Sequence, residues 1–174
     1  MASIEGEWRR YKTLAERAFR QLRDDELGEN GPGGGNSVAI IVWHIAGNLK
    51  SRFTDFLDSD GEKPWRNRDS EFQPRDGISR AEMVEKWNSG WNTLFATLEK
   101  LSDEDLSRMV IIRGEKFRAH ETLHRLLAHT SYHVGQIVYL AKIFRGTEWN
   151  SLSIPHGKSE EYNRNPKGQR PPNK

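Results

Sequence analysis

The sequence contains no cysteine, which excludes disulfide bonds, thiolate catalysis and zinc sites built on cysteine. Any metal site must therefore use histidine, carboxylate or backbone ligands. The chain also lacks an excess of one charge, since 27 Lys and Arg side chains nearly offset 25 Asp and Glu. A net charge of +2 gives no basic field that would attract nucleic acid or an anionic membrane. We therefore expect neither of them as a partner.

Long hydrophobic runs are also missing. No window approaches the roughly 18 consecutive apolar residues of a membrane span, and the charged N-terminal segment lacks the apolar centre of a signal peptide. We therefore expect a cytoplasmic protein. A chain of 174 residues suits one domain, and its 30% of charged residues, beside six Trp and seven Phe, indicates a helix-rich core with a charged exterior.

Four segments have apolar residues at the three- and four-residue steps of an amphipathic helix. They predict helices over residues 4–27, 37–57, 79–100 and 121–144. Four long helices in one small domain predict an all-α four-helix bundle. Ser37, or Asn36 before it, is a suitable N-cap for the second helix, and "SRAE" at residues 79–82 has the spacing of a capping box for the third.

The connections between these helices differ in character. "GENGPGGGN" has five glycines and one proline in nine residues, which predicts a flexible connector after the first helix. A long polar loop, residues 58–77, joins helices two and three, and such loops are often functional. "MVIIRGEKFRA" predicts a short hairpin or extended link before helix four. We expect the domain to span residues 1–160, followed by a loosely ordered polar tail over 161–174.

Two histidine pairs in the fourth helix share a four-residue spacing, in "HTSYHVGQI" and in "HETLH". At about 100° per residue, His129 and His133 lie along one edge of the apolar face, whereas His120 and His124 point about 180° and 220° away from His129. The two pairs therefore cannot form one site. We interpret His120 and His124 as surface or cap residues.

The second helix carries a polar stripe beside its apolar face. His44, Asn48 and Asp55 follow one another at helical steps, with Arg52 on the same stripe. If helices two and four are neighbours, His44 completes a three-histidine set that suits Zn²⁺, and imidazole also suits Ni²⁺, Cu²⁺ and Fe²⁺. The alternative is that these histidines are hydrogen-bonded core residues.

Three segments resemble a known superfamily. "HTSYHVGQI" is similar to the H-x-x-x-H and G-Q-I motif of the DinB/YfiT-like putative metalloenzymes, and "VWHIAGN" is similar to their first-ligand region. "GNLKSRFTDFLDSDGEKPWRNRDSEF" resembles a functionally uncharacterised bacterial subfamily, and the resemblance covers roughly residues 1–160. It implies a DinB-type four-helix bundle, often a homodimer, with a divalent ion, Zn²⁺ or Ni²⁺ first, on His44, His129 and His133.

Several polar residues are candidates for the surroundings of such a metal or for substrate contacts. Asn48 could orient an imidazole or hold a bound water, and we interpret Asp55 as structural. Arg66 or Arg68 could bind a carboxylate or phosphate, or the Arg and Asp residues of "RNRD" could pair with each other or with Asp55 to fix the loop across the bundle. Trp65 could cover a metal pocket or lie in a dimer contact.

Three functional hypotheses follow. The first is a metal-dependent enzyme that acts on an unknown small molecule, in the class of thiol-dependent transferases or hydrolases to which the resemblance points. The second is a non-catalytic metal-binding or stress-response protein. The third is a structural dimeric bundle without a metal, in which the buried imidazoles would need other partners.

Overall fold

The computed structural model describes residues 1–166, which are mostly helical. The predicted helical class is therefore confirmed. Four long helices account for about half of these residues. The short hairpin predicted before the fourth is present as an antiparallel pair of strands. The elements are α1 (Ala2–Phe19), α2 (Val38–Phe53), α3 (Arg80–Leu98), β1 (Met109–Ile112), β2 (Glu115–Arg118), α4 (Ala119–Arg145) and α5 (Ser159–Arg164).

The apolar faces of the long helices meet in one core. Helix α2 packs along α3 and α1 packs along α4, while α2 and α4 share a smaller contact. Trp8, Trp87 and Trp91 are fully buried there, and the Trp8 and Trp91 rings meet edge to face at 5.9 Å. Rings of this size account for much of the apolar area that folding buries.

Side-chain caps fix where two of the helices begin. The Ser37 hydroxyl accepts a hydrogen bond from the backbone N–H of Ile40, and the Ser79 hydroxyl accepts one from that of Glu82. Each bond satisfies a donor that the first helical turn leaves without a partner. Both predicted starts are therefore correct. Helix α4 stops before Gly146, whose φ of 51° lies in the left-handed region that favours glycine.

Helices α1 and α2 both end earlier than predicted. The Arg80 guanidinium donates hydrogen bonds to the backbone carbonyls of Phe19 and Leu22, so it satisfies the end of α1 from outside. The chain then turns, although its apolar pattern continues to Leu27, and Leu22 and Leu27 still reach the core. Helix α2 stops at Phe53, since the backbone becomes extended at Thr54 and left-handed at Asp55, where φ is 48°.

The glycine-rich segment after α1 is a compact turn, where the sequence predicted a flexible connector. Gly31 and Gly35 exchange two backbone hydrogen bonds of 3.0 and 3.1 Å. Gly33 and Gly34 have φ values of 69° and 77°, which other residues rarely adopt. The glycines therefore allow a tight reversal of the chain at this position.

The carboxylate of Asp60 in the long loop binds the turn of the hairpin. Asp60 accepts hydrogen bonds from the backbone N–H groups of Arg113 and Gly114, both at 2.8 Å, in the turn between β1 and β2. The loop also contains a single 3₁₀ turn, Asp69–Phe72, that no periodicity predicts. This turn packs against α2.

Helix α5 crosses the predicted domain boundary at residue 160. Most of the predicted tail, residues 167–174, lies outside the described residues. Within residues 1–166, none of the helices is both long enough and apolar enough to cross a membrane.

Candidate metal centre

The structure brings His44 of α2 together with His129 and His133 of α4. One potential ligand atom from each residue lies within 4.8 Å of the others, and the His44 and His129 Nε2 atoms face each other at 3.2 Å. The His133 ring centroid is 4.7 Å from each of the other two centroids. The three histidines singled out by the helical projection therefore form one cluster.

Hydrogen bonds to the outer nitrogens fix how two of the rings are turned. The His44 Nδ1–H donates to the Glu71 carboxylate at 2.9 Å, and the His133 Nδ1–H donates to the Gln136 amide oxygen at 2.7 Å. A neutral imidazole that donates through Nδ1 keeps its lone pair on Nε2. The lone pairs of His44 and His133 are thereby left available toward the interior of the cluster.

Glu71 lies at the centre of a buried polar network behind His44. Its carboxylate accepts two hydrogen bonds from the Arg66 guanidinium, at 2.8 and 2.9 Å, and Arg66 also donates to the Ser51 hydroxyl. Burial alone would raise the pKa of Glu71, but the hydrogen bonds from His44 and Arg66 outweigh it and lower that pKa. The carboxylate is therefore an anionic acceptor that fixes both His44 and Arg66.

Burial keeps His129 and His133 neutral at physiological pH. Desolvation, followed by the neighbouring His133 and His44, lowers the pKa of His129 to about 3. Desolvation also lowers the pKa of His133 to about 4, although the hydrogen bond with Gln136 opposes this. A neutral imidazole is the form that binds a metal ion, so these two rings need not lose a proton first.

A cavity of about 480 Å³ opens beside the cluster. All three histidines line it, together with residues from the long loop, the hairpin and α4. Its volume falls within the range of small-molecule binding sites. The cluster is therefore accessible from a pocket of suitable size for a small molecule.

Four of the other predicted candidates line this cavity, namely Asn48, Arg52, Arg66 and Arg68. Asn48 forms no hydrogen bond with a histidine in the described part of the chain, and its buried Oδ1 atom has no hydrogen-bond partner there. Arg52 donates to the backbone carbonyl of Gly61 and to Glu62. Arg68 is half-exposed at the cavity rim.

The Arg66 guanidinium binds Glu71 and Ser51 and therefore fixes the loop, but its partner is Glu71 and neither Asp69 nor Asp55. Asp55 and Trp65 are not among the lining residues. Asp55 is exposed, and its backbone carbonyl accepts hydrogen bonds from the turn that follows α2. Trp65 is 53% exposed, with the Lys50 ammonium 6.0 Å from its ring centre.

The outer histidine pair lies away from the cluster, as the projection predicted. The His120 and His124 ring centroids are 6.4 Å apart, and the His120 Nδ1–H donates to the backbone carbonyl of Leu106. His124 is exposed. This hydrogen bond ties the start of α4 to the segment before the hairpin, while the N-cap of α4 is Arg118.

Sequence reasoning missed two residues that orient the histidines. Gln136 follows His133 by three positions, which places it about one helical turn away, so periodicity could have identified it. Glu71 lies in an aperiodic loop 27 residues after His44, and nothing in its local pattern distinguishes it from the other acids of that loop.

A family model described as "Protein of unknown function (DUF1572)" matches residues 1–158 of the chain. The search of curated proteins found no match to the chain.

Proposed function

The chain belongs to DUF1572, a family of unknown function, and from its own site we propose that it binds one divalent metal ion through His44, His129 and His133. The observation that carries this proposal is the convergence of three imidazoles whose outer nitrogens are engaged elsewhere at His44 and His133. Nitrogen ligands about 2.0–2.1 Å from a tetrahedral Zn²⁺ lie about 3.3 Å apart. The His44 and His129 Nε2 atoms, at 3.2 Å, already have this separation.

The donor set favours Zn²⁺ or Ni²⁺, because neutral imidazoles suit borderline ions better than Mg²⁺ or Ca²⁺. Glu71 and Gln136 supply the outer hydrogen bonds that orient histidine ligands and raise their basicity. We further propose that the family is a branch of the DinB-like superfamily with its four-helix bundle. The packing of α1 to α4 and the positions of the three histidines support this.

We propose that the protein is a metal-dependent enzyme acting on a small molecule, in the transferase or hydrolase class. An ion on three protein ligands keeps a position open, where it lowers the pKa of a bound water or thiol or polarises a carbonyl. The cavity beside the histidines supports this reading, because a purely structural site needs no pocket. The unpartnered Asn48 Oδ1 is suited to accept a hydrogen bond from a water or substrate group in that pocket.

The second candidate is a non-catalytic metal-binding protein. Helices α2 and α4 share a smaller contact than α2 with α3 or α1 with α4, and the histidine cluster lies where α2 and α4 meet. An ion there would tie the two helices together. This candidate predicts a large fall in melting temperature on chelation, whereas the enzyme predicts a small fall and an exchangeable ligand on the metal.

Elemental mass spectrometry of untagged protein tests metal binding directly. We expect about one ion per chain, lost in His44→Ala and in His133→Ala but kept in His124→Ala, whose side chain is exposed away from the cluster. A metal-free chain after reconstitution with Zn²⁺ and Ni²⁺ would overturn the proposal. The close approach of His129 and His44 would then be explained by a hydrogen bond between their Nε2 atoms.

A chain with bound metal is then screened for thiol transfer and for hydrolysis. Turnover that is lost in His133→Ala and unaffected in His124→Ala supports the enzyme. The homodimer implied by the resemblance remains a prediction, and light scattering of the same preparation measures it.

A further inference from the structure

The cavity beside the histidines is lined by five arginines and by one carboxylate among the residues that the structure describes. The arginines come from α2, the long loop, the hairpin turn and α4, so they surround the pocket from several elements. They are Arg52, Arg66, Arg68, Arg113 and Arg125, and the carboxylate is that of Glu115. The whole chain has a net charge of only +2, so this concentration of positive charge is local.

Three of these arginines form close ion pairs with carboxylates. Arg66 forms its two hydrogen bonds with the buried Glu71. Arg52 and Arg113 share Glu62, at 3.1 and 2.7 Å. Arg66 is therefore balanced by one carboxylate, whereas Arg52 and Arg113 share a single carboxylate and keep one net positive charge at the pocket.

Arg68 and Arg125 remain without a close carboxylate. The nearest acid to Arg68 is Asp69, at 3.9 Å, and this pair is exposed to solvent, where it contributes little. Arg125 forms no ion pair in the described part of the chain. Glu115, although it lines the same pocket, lies within 4 Å of neither guanidinium.

Each of the two free guanidinium groups rests on an aromatic ring. Arg68 lies 4.9 Å from the centre of Phe72, and Arg125 lies 5.3 Å from the centre of Phe117. Stacking uses the face of a guanidinium and leaves the N–H groups along its edge available. The rings therefore hold both groups in place while their hydrogen-bond donors stay free.

Both arginines are close to the histidine cluster. The Phe72 ring under Arg68 is 4.8 Å from the His44 ring. Arg125 precedes His129 by four residues, so it lies about one turn away, or about 6 Å, along the same stripe of α4. A group bound between them would lie next to the three histidines.

We propose that this pocket binds a small molecule bearing an oxyanion, a carboxylate or a phosphate, through Arg68 and Arg125. Guanidinium groups with free edges match the geometry of both oxyanions. The volume of about 480 Å³ suits a small molecule rather than a polymer. The proposal deepens the proposed function by naming its substrate class, but the two arginines do not need the metal to bind an anion.

The test titrates the full chain with inorganic phosphate and, separately, with acetate at constant ionic strength, and follows binding by calorimetry. Metal-free and Zn²⁺-loaded protein are measured in parallel. The variants are Arg68→Gln, Arg125→Gln and the double variant, with Arg17→Gln as matched control. Arg17 is exposed on α1, does not line the cavity and has no ion pair in the described residues.

We expect one oxyanion to bind saturably to metal-free protein, with a dissociation constant raised at least tenfold by either single substitution and unchanged in Arg17→Gln. The tighter of the two probes identifies the group as phosphate or carboxylate. Equal binding by wild type, both single variants and the control, or no binding at all, would overturn the proposal. Anion binding by a chain that takes up no metal would refute only the metal site. Metal binding by a chain that binds neither phosphate nor acetate would refute only the anion site.

Discussion

The Glu71 carboxylate occupies the space that a side chain at residue 47 would need. An ideal Cβ on Gly47 would lie 2.0 Å from Glu71 Oε1, far inside van der Waals contact. Gly47 follows His44 by three residues on α2, so it opens the helix surface where the loop carboxylate reaches the imidazole. The glycine is therefore part of how the first histidine is oriented.

We expect Gly47→Ala to displace Glu71, destabilise the fold by about 1–3 kcal/mol and weaken metal binding, because the added methyl group overpacks a buried site. Urea unfolding and metal competition with a coloured chelator measure the two effects. Gly135→Ala on α4 is the matched control, since a Cβ there meets nothing within 4 Å. It should be neutral or stabilise by up to about 1 kcal/mol. Equal behaviour of the two variants would contradict the account.

Glu71→Gln should weaken metal affinity by about 10–100-fold, because His44 loses its anionic hydrogen-bond acceptor. Gln136→Ala should have a smaller effect, since it removes a neutral, exposed acceptor from His133. The same chelator competition provides both values. Asp69→Asn changes an acid of the same loop that is 95% exposed, and it should leave the affinity unchanged. A loss in Asp69→Asn as large as in Glu71→Gln would show that loop charge alone sets the affinity.

The metal-free protein should lose stability as the pH falls below about 6.5. The folded pKa values of His129 and His133, about 3 and about 4, lie below the ordinary value of 6.5. Between these values the unfolded chain binds more protons, so acid favours unfolding and stability returns as the pH rises. Urea midpoints between pH 5.0 and 7.5 measure this slope, above the range in which most carboxylates titrate.

Two histidine variants identify the source of that pH dependence. His129→Gln should reduce the slope by about half, because one of the two groups that resist protonation is removed while His133 remains. His124→Gln should preserve it, since that ring is exposed. An unchanged slope in His129→Gln would assign the pH dependence to other groups.

Gly90→Ala should separate α3 from α2. A Cβ at residue 90 would lie 2.6 Å from the Cα of Ala46, so backbone atoms would have to move. We expect a loss of about 1–3 kcal/mol in urea unfolding with metal stoichiometry retained, because the histidines lie on α2 and α4. Unchanged stability would show that the two helices can move apart at little cost.

The helical parts of this molecule could be predicted from sequence because their information is periodic. A projection at 100° per residue placed His129 and His133 on one edge and His120 and His124 on another, and the rings lie where that projection put them. The predicted helix ends were less accurate. The end of α1 is bound by Arg80, a side chain about 60 residues further along the chain. No local pattern contains that contact.

The contacts that loop residues make around the site could not be predicted for the same reason. Arg66 was considered a ligand for a substrate anion, but the buried Glu71 uses its guanidinium. Arg125 has the same four-residue spacing to His129 that His129 has to His133. That Arg125 has no acidic partner among the described residues, however, is known only from the positions of the neighbouring carboxylates. Periodicity identifies faces of helices, whereas the pairing of charges depends on the path of every loop.

The distance along the chain between His44 and His133 also fixes when the metal centre can be completed during synthesis. The ribosome must release α1, α2, α3 and most of α4 before the third imidazole exists outside it, and chains begin to fold from the N-terminus as they emerge. An ion bound by all three histidines therefore cannot nucleate the first helices. Such an ion would instead bind late in folding, and only a chain whose last long helix has docked in register would retain it.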